Sequence, residues 1–167
     1  GRKKLLYKEF FVRGLIKCNE CGSTMTPSFK NKKKRRYYYY SCVKVAKEGK
    51  SACSLTRVNS EKLENFIFEN LERISKDRSY LESLVFKMLH GPLYFSGNEL
   101  STELEKNLVE KIMHVLHRYA SSYKIGTQLE RQLVSKNTIQ KIIFSRETLE
   151  VLINIEDRTA PQLARGL

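Results

Sequence analysis

The 167-residue sequence has no run of about 18 apolar residues, which excludes a membrane-spanning helix. Its basic N-terminus lacks a sustained apolar core, so no signal peptide is read there and the thiols suit a reducing cytoplasm. Glycine-rich phosphate loops, H-E-x-x-H and G-x-S-x-G are all missing, and no residue reads as catalytic. There is no internal repeat, and no helical run keeps heptads for the roughly four repeats a coiled coil needs. Acidic residues are scarce in one place only. Residues 1–58 hold 16 Lys and Arg against Glu9, Glu20 and Glu48, a balance of +13 that equals the charge of the whole chain. Residues 59–167 balance at 15 against 15. Such a one-sided field is the footprint of a phosphate-binding surface.

Cysteine is also scarce: there are four, all between Leu15 and Arg57. Cys18 and Cys21 form a C-x-x-C followed by Gly22; twenty residues then lead to Cys42 and ten more to Cys53. Zinc takes four thiolates in a tetrahedron, and two cysteines across a tight turn supply half of it. Gly22, without a Cβ, can adopt the left-handed backbone such a knuckle often needs. The spacing points to a four-cysteine zinc ribbon with Cys18, Cys21, Cys42 and Cys53 as ligands. The second pair departs from C-x-x-C, and Gly49 and Ser51 mark a loop inside it. The alternatives are disulfides or free thiols, and a redox C-x-x-C, which would need a βαβ context. Even after four thiolates and Zn²⁺ subtract two charges, the segment stays strongly cationic.

The length allows one full domain or two small ones, and 41% hydrophobic residues suffice for a core. Gly1 followed by basic residues, with no Met, suggests a piece of a longer chain. After Leu5, the residues Leu6, Phe10 and Phe11 suit a short helical stripe, or Phe10–Val12 a strand edge. Leu15-Ile16 should lead into the first knuckle and Thr24-Met25 out of it. Ser28–Arg36 is expected as a basic hairpin tip, and Arg36–Cys42 as the return strand, with Tyr37 and Tyr39 on one face and Tyr38 and Tyr40 on the other. One tyrosine pair would shield the metal site and the other would lie on the ribbon surface.

From Asn59 the pattern turns helical, with Asn59 or Ser60 as cap and Glu61 and Glu64 favouring the first turn. Leu63, Phe66, Ile67, Leu71 and Ile74 form its stripe. A second helix after Ser79 carries Leu81, Leu84, Val85, Met88 and Leu89 and stops at Gly91-Pro92, and Leu93–Gly97 connects onward. A third helix from near Ser101 carries Leu104, Leu108, Ile112, Val115, Leu116 and Tyr119 and loosens at Ser121–Gly126. Leu129, Leu133 and Val134 suggest a fourth. Ile142–Phe144 and Leu149–Ile155 read as a β-hairpin. The expected architecture is α+β: a zinc ribbon with its lead-in over 1–58, three to four helices and a C-terminal hairpin over 59–155, and a flexible tail over 156–167. The pattern is compatible with one core shared by ribbon and helices.

Lys30, Lys32, Lys33, Lys34, Arg35 and Arg36 place six cations in seven residues beside four tyrosines. Cations that neutralise phosphates release counterions, an affinity largely blind to sequence and sensitive to salt. Double-stranded DNA is the expected partner, with these residues, Tyr38, Lys44 and Lys47 in contact and Lys50 and Arg57 widening the surface. The bland alternative is a solvated loop that aids solubility. His114 and His117 read as surface or packed residues, and His90 suits a helix C-terminus.

The run Phe11-Val-Arg-Gly-Leu-Ile-Lys-Cys-Asn-Glu-Cys-Gly-Ser-Thr-Met25, the Arg36–Cys42 aromatic strand, Cys53 and Arg57-Val-Asn-Ser-Glu-Lys-Leu-Glu64 together resemble the zinc β-ribbon of large serine recombinases, such as phage integrases and transposon resolvases. Ile139–Val151 is similar to the helix-to-hairpin ending of such proteins. The resemblance implies a DNA-binding fragment of a site-specific recombinase that contacts the outer part of an attachment half-site. The serine-bearing catalytic domain would lie upstream, so this fragment is not itself expected to be an enzyme. Its partners would be DNA and other recombinase subunits, with no membrane and no small-molecule substrate. It would be cytoplasmic and nucleoid-associated, of bacterial or phage origin. Many members insert a long coiled coil, for which Lys76–Ser101 is too short and too broken, so no role in directionality is assigned. Other readings are an RNA-binding or transcription-associated ribbon, or a protein-interaction platform whose helices dock subunits.

Overall fold

Residues 25–32 and 35–42 pair as a long antiparallel hairpin, and the helix over 60–75 packs against its second strand. The computed structural model describes residues 10–32, 35–91 and 102–155. Leu5, Leu6, Lys33, Lys34, the Leu93–Gly97 connection and the 156–167 tail lie outside the described residues. In chain order the elements are β1 (Ile16–Cys18), β2 (Met25–Lys32), β3 (Arg35–Cys42), α1 (Val43–Glu48), a 3-10 turn (Lys50–Ala52), β4 (Arg57–Asn59), α2 (Ser60–Ser75), α3 (Arg78–His90), α4 (Glu103–Ile125), α5 (Gln128–Thr138), β5 (Ile139–Phe144) and β6 (Leu149–Ile153). The fold is α+β, and no described helix is long and apolar enough to cross a membrane.

Two three-stranded sheets form, in the orders β2-β3-β4 and β1-β5-β6. Strand β1, which leads into the first knuckle, pairs in parallel with β5: Ile16 lies opposite Ile142 and Cys18 opposite Phe144. The Ile142 N–H donates to the Leu15 carbonyl and the Asn19 N–H to the Phe144 carbonyl, both at 2.9 Å. The C-terminal hairpin is thereby stitched to the cysteine segment. Ile16, Ile139 and Ile142 are fully buried along this seam. One continuous hydrophobic cluster takes Phe10, Phe11, Tyr40 and Met25 from the N-terminal part and Ile67, Val85, Leu116 and Ile142 from the rest.

Side-chain caps set the helix starts. Asn59 Oδ1 accepts from the Lys62 N–H at 3.0 Å and Asp77 Oδ1 from the Tyr80 N–H at 2.9 Å. Thr102 with Glu105, and Thr127 with Glu130, form capping boxes.

Several expectations need correction. Ser28–Lys32 is strand rather than hairpin tip, because Phe29 and Lys30 pair across the ladder with Tyr38 and Tyr37. The Cys42–Cys53 loop contains α1, and Phe10–Val12 enters a buried turn rather than a helix or a strand edge. Helix α4 continues through Ile125, past the expected loosening at Ser121. Only part of each apolar stripe is buried: Phe66, Leu84, Met88, Leu89, Leu104, Leu129 and Leu133 face outward. The buried sides pack helix on helix, α4 against α2, α3 and α5. Phe11, Phe68 and Tyr123 join them, with Phe11 and Tyr123 rings 5.2 Å apart and Phe68 and Tyr123 4.5 Å apart.

Candidate metal centre and nucleic-acid interface

Local hydrogen bonding shapes the first knuckle. The Gly22 N–H donates to the Cys18 carbonyl and the Cys18 N–H to the Ser23 carbonyl, both at 2.9 Å. Gly22 takes φ 69°, the left-handed region that a side chain would strain. Cys42 is delivered by the end of β3, where its N–H donates to the Thr56 carbonyl at 3.0 Å. Cys53 follows the 3-10 turn.

These three approaches bring all four sulfurs within 4.8 Å of one another. Cys21 and Cys42 Sγ atoms are 3.4 Å apart, and those of Cys18 and Cys53 are 3.6 Å apart. Four thiolates around zinc, each about 2.3 Å away, would stand roughly 3.8 Å from one another. The cluster therefore fits a tetrahedral thiophilic ion, and all four are free thiols. Hydrogen bonds from the Ser23 side chain and backbone hold the Cys21 thiol down to about 6. Burial pushes Cys53 up to about 12 and also raises Cys42. A divalent cation at the centre is the charge that offsets such burial.

Glu20 sits inside the knuckle, between Cys18 and Cys21. It accepts from the Ser54 N–H at 3.1 Å and the Leu55 N–H at 3.2 Å, and the Ser54 hydroxyl lies 2.5 Å from each of its oxygens. That hydroxyl is the first cause holding its carboxyl below the usual range. From the other side, Arg146 in the β5–β6 turn donates to the Ser54 carbonyl at 2.9 Å.

The β2-β3-β4 sheet separates the predicted contact residues between two faces. Strand register puts Lys30, Lys32, Arg35, Tyr37, Tyr39 and Arg57 on one face, with the Arg57 guanidinium 4.7 Å from the Tyr39 ring centre. Lys30, Lys32, Arg35, Tyr37 and Arg57 are exposed there. Arg36 and Tyr38 belong to the opposite face. Arg36 lies over the Phe29 ring at 4.6 Å, and Tyr38 packs edge-on against Phe10 at 5.9 Å. Tyr40, expected with Tyr38, is fully buried against Phe10 at 5.3 Å. On α1, Lys47 is exposed and Lys44 half-buried. His114 and His117 are exposed, and His90 pairs with the buried Glu105 at 2.7 Å.

Residue reasoning missed Glu20, Ser54 and Glu64. Glu64 accepts at Oε1 from the Phe11 N–H at 2.7 Å and the Tyr40 hydroxyl at 2.5 Å, which fastens the lead-in turn and β3 to α2. The scarcity of acids in residues 1–58 was the available signal for Glu20.

Residues 11–72 match the family model of the recombinase zinc beta ribbon domain. Over that stretch the chain is similar to recombinase zinc ribbons. The match begins and ends with the structural unit that Glu64 closes, from Phe11 to α2. A search of curated proteins gives no match. Among solved structures, the chain resembles one described as a crystal structure of a large serine recombinase–DNA complex (LSR–DNA), at 19% identity and a TM-score of 0.52. The alignment covers 87% of this chain and 56% of that one, so the ribbon and its helices span little more than half of that chain. At this identity the likeness speaks for the fold, and it extends well beyond the ribbon into the helices.

Proposed function

We propose that this chain is the DNA-contacting portion of a site-specific serine recombinase. In this reading Cys18, Cys21, Cys42 and Cys53 hold one structural Zn²⁺, and the ribbon rests on duplex DNA at the outer part of an attachment half-site. Strand exchange belongs to a serine-bearing domain outside this sequence, and other recombinase subunits are its protein partners. The observation that carries the reading is the juxtaposition of a four-thiol cluster and a cationic, tyrosine-bearing sheet face inside a recombinase zinc ribbon.

Zinc in such a site supplies folding free energy and no chemistry. The chain's own residues do the rest. Lys30, Lys32, Arg35 and Arg57 offer charge to phosphates, and Tyr37 and Tyr39 offer hydroxyl donors between them. Lys33 and Lys34 extend the cationic run in sequence, and Lys44 and Lys47 add charge from α1. Arg36 and Tyr38, on the other face, are assigned to packing and to the flank of the contact.

Fluorescence anisotropy on labelled duplexes, titrated with salt, tests this. Binding should weaken steeply with salt, and replacing Lys30, Arg35 or Arg57 with Ala should each reduce the log–log slope by about 1. Replacing Arg36 should matter less. Preference for single-stranded RNA, or slopes unchanged by all three variants, would sink the proposal.

A further inference from the structure

We infer that Glu20 is a positioning residue of the metal centre: its carboxylate holds the Cys53-Ser54-Leu55 turn against the first knuckle and so closes the four-thiol cage. The inference rests on the zinc reading above and adds to it a residue outside the ligand set.

Cys18 and Cys21 are placed by their own tight turn, and Cys42 by the β3 ladder. Cys53 has neither device. Ten residues separate it from Cys42, in place of the two that would build a second knuckle. Arg146 holds the Ser54 carbonyl and the Cys42 N–H holds the Thr56 carbonyl, but neither ties the Cys53 turn to the first knuckle. The only carboxylate between the first two cysteines does so, with Glu20 Oε2 accepting from the Ser54 and Leu55 N–H groups and both oxygens meeting the Ser54 hydroxyl. Leu55, next along, is buried and anchors the turn in the core.

Charge alone argues against an acid here. Four thiolates and Zn²⁺ carry a net −2, and Glu20 Oε2 lies 3.4 Å from Cys53 Sγ. A negative group at that distance is repelled by the loaded centre. Its value lies in accepting hydrogen bonds from the turn that carries a ligand, as outer partners of metal ligands commonly do. Acceptor capacity, rather than charge, is therefore what a substitution must preserve.

The experiment compares the chain with its Glu20→Ala and Glu20→Gln variants, using zinc competition against a chromogenic chelator and cobalt substitution. Glu20→Ala should raise the zinc dissociation constant about 10–100-fold. Its cobalt form should lose roughly a quarter of the thiolate-to-metal absorption, as one thiolate of four leaves. Glu20→Gln, which keeps an acceptor oxygen, should lose less. The inference is overturned if Glu20→Ala binds zinc within about twofold of the parent, or if Gln is as damaging as Ala. Should Glu20→Ala fail to fold, Ser54→Ala decides, since it removes one donor only: faster zinc release is expected, and an unchanged rate overturns the inference. A parent chain without stoichiometric zinc would instead defeat the metal reading, so the two failures are told apart.

Discussion

Glu64 shows how much one side chain can organise. It is 5% exposed, yet it was expected only as an acid favouring the first turn of a helix. In the fold it collects the Phe11 N–H and the Tyr40 hydroxyl, residues 53 and 24 positions away. Burial, and then the Glu64 charge, push the Tyr40 phenol well above its ordinary range, so it remains a donor. Tyr40→Phe should cost about 1.5–3 kcal/mol, the worth of a buried hydrogen bond to a charged group. Glu64→Ala should cost more, because the Phe11 N–H also loses its acceptor. Urea unfolding of both single variants and the double should reveal coupling above about 0.5 kcal/mol, and strict additivity would refute the link. The four cysteines were legible because their spacing alone encodes a cage. Glu20 and Glu64 were not, because a carboxylate's role depends on which backbone N–H groups the fold brings to it.

At the scale of elements, the start of α2 was readable from Asn59 and Glu61, since capping is a local interaction. The Asp77, Thr102 and Thr127 caps were not singled out, and α3 begins at Arg78 rather than after Ser79. Which apolar residues would be buried was not readable to the same degree. Period 3.6 identifies a stripe but not its covered width, and Leu104 and Leu129 end at 76% and 65% exposed. The tyrosine alternation was legible, but its assignment was not: Tyr40 packs under Phe10, while Tyr39 carries Arg57 on the solvent face. Between helices, Glu72 of α2 accepts from Lys124 of α4 at 2.6 Å and from Lys76 at 2.7 Å. The Lys124 hydrogen bond, and then that of Lys76, hold its carboxyl below the usual range. A depressed folded-state pKa gives stability that is present above the unfolded-state value and is lost as pH falls through the folded one. Glu72→Gln should therefore melt lower than the parent at pH 7. The gap should close on acidification below the ordinary carboxylate range, and a gap independent of pH would exclude this origin.

For the whole molecule, the decisive contact is the parallel pairing of β1 with β5, which no local pattern announced. Parallel neighbours far apart in sequence leave no periodic signature in either strand, so ribbon and helical segment read as separable while sharing one core. Because β1 ends in Cys18, the four-thiol cluster and the C-terminal hairpin are mechanically joined. Stripping the metal should raise hydrogen exchange at Ile142 and Asn19, whose N–H groups bond across that seam, with little change at Val85 or Val109 in the helices. Unaltered protection at Ile142 would show the joint to be independent of the ion. The same pairing has a bearing on biosynthesis. Ile16 must wait for Ile142 to emerge from the ribosome, a delay on the order of 10 s at roughly 5–20 residues per second. Through that interval the apolar edge of β1 stays uncovered, and its exposure to wrong partners ends only when β5 arrives.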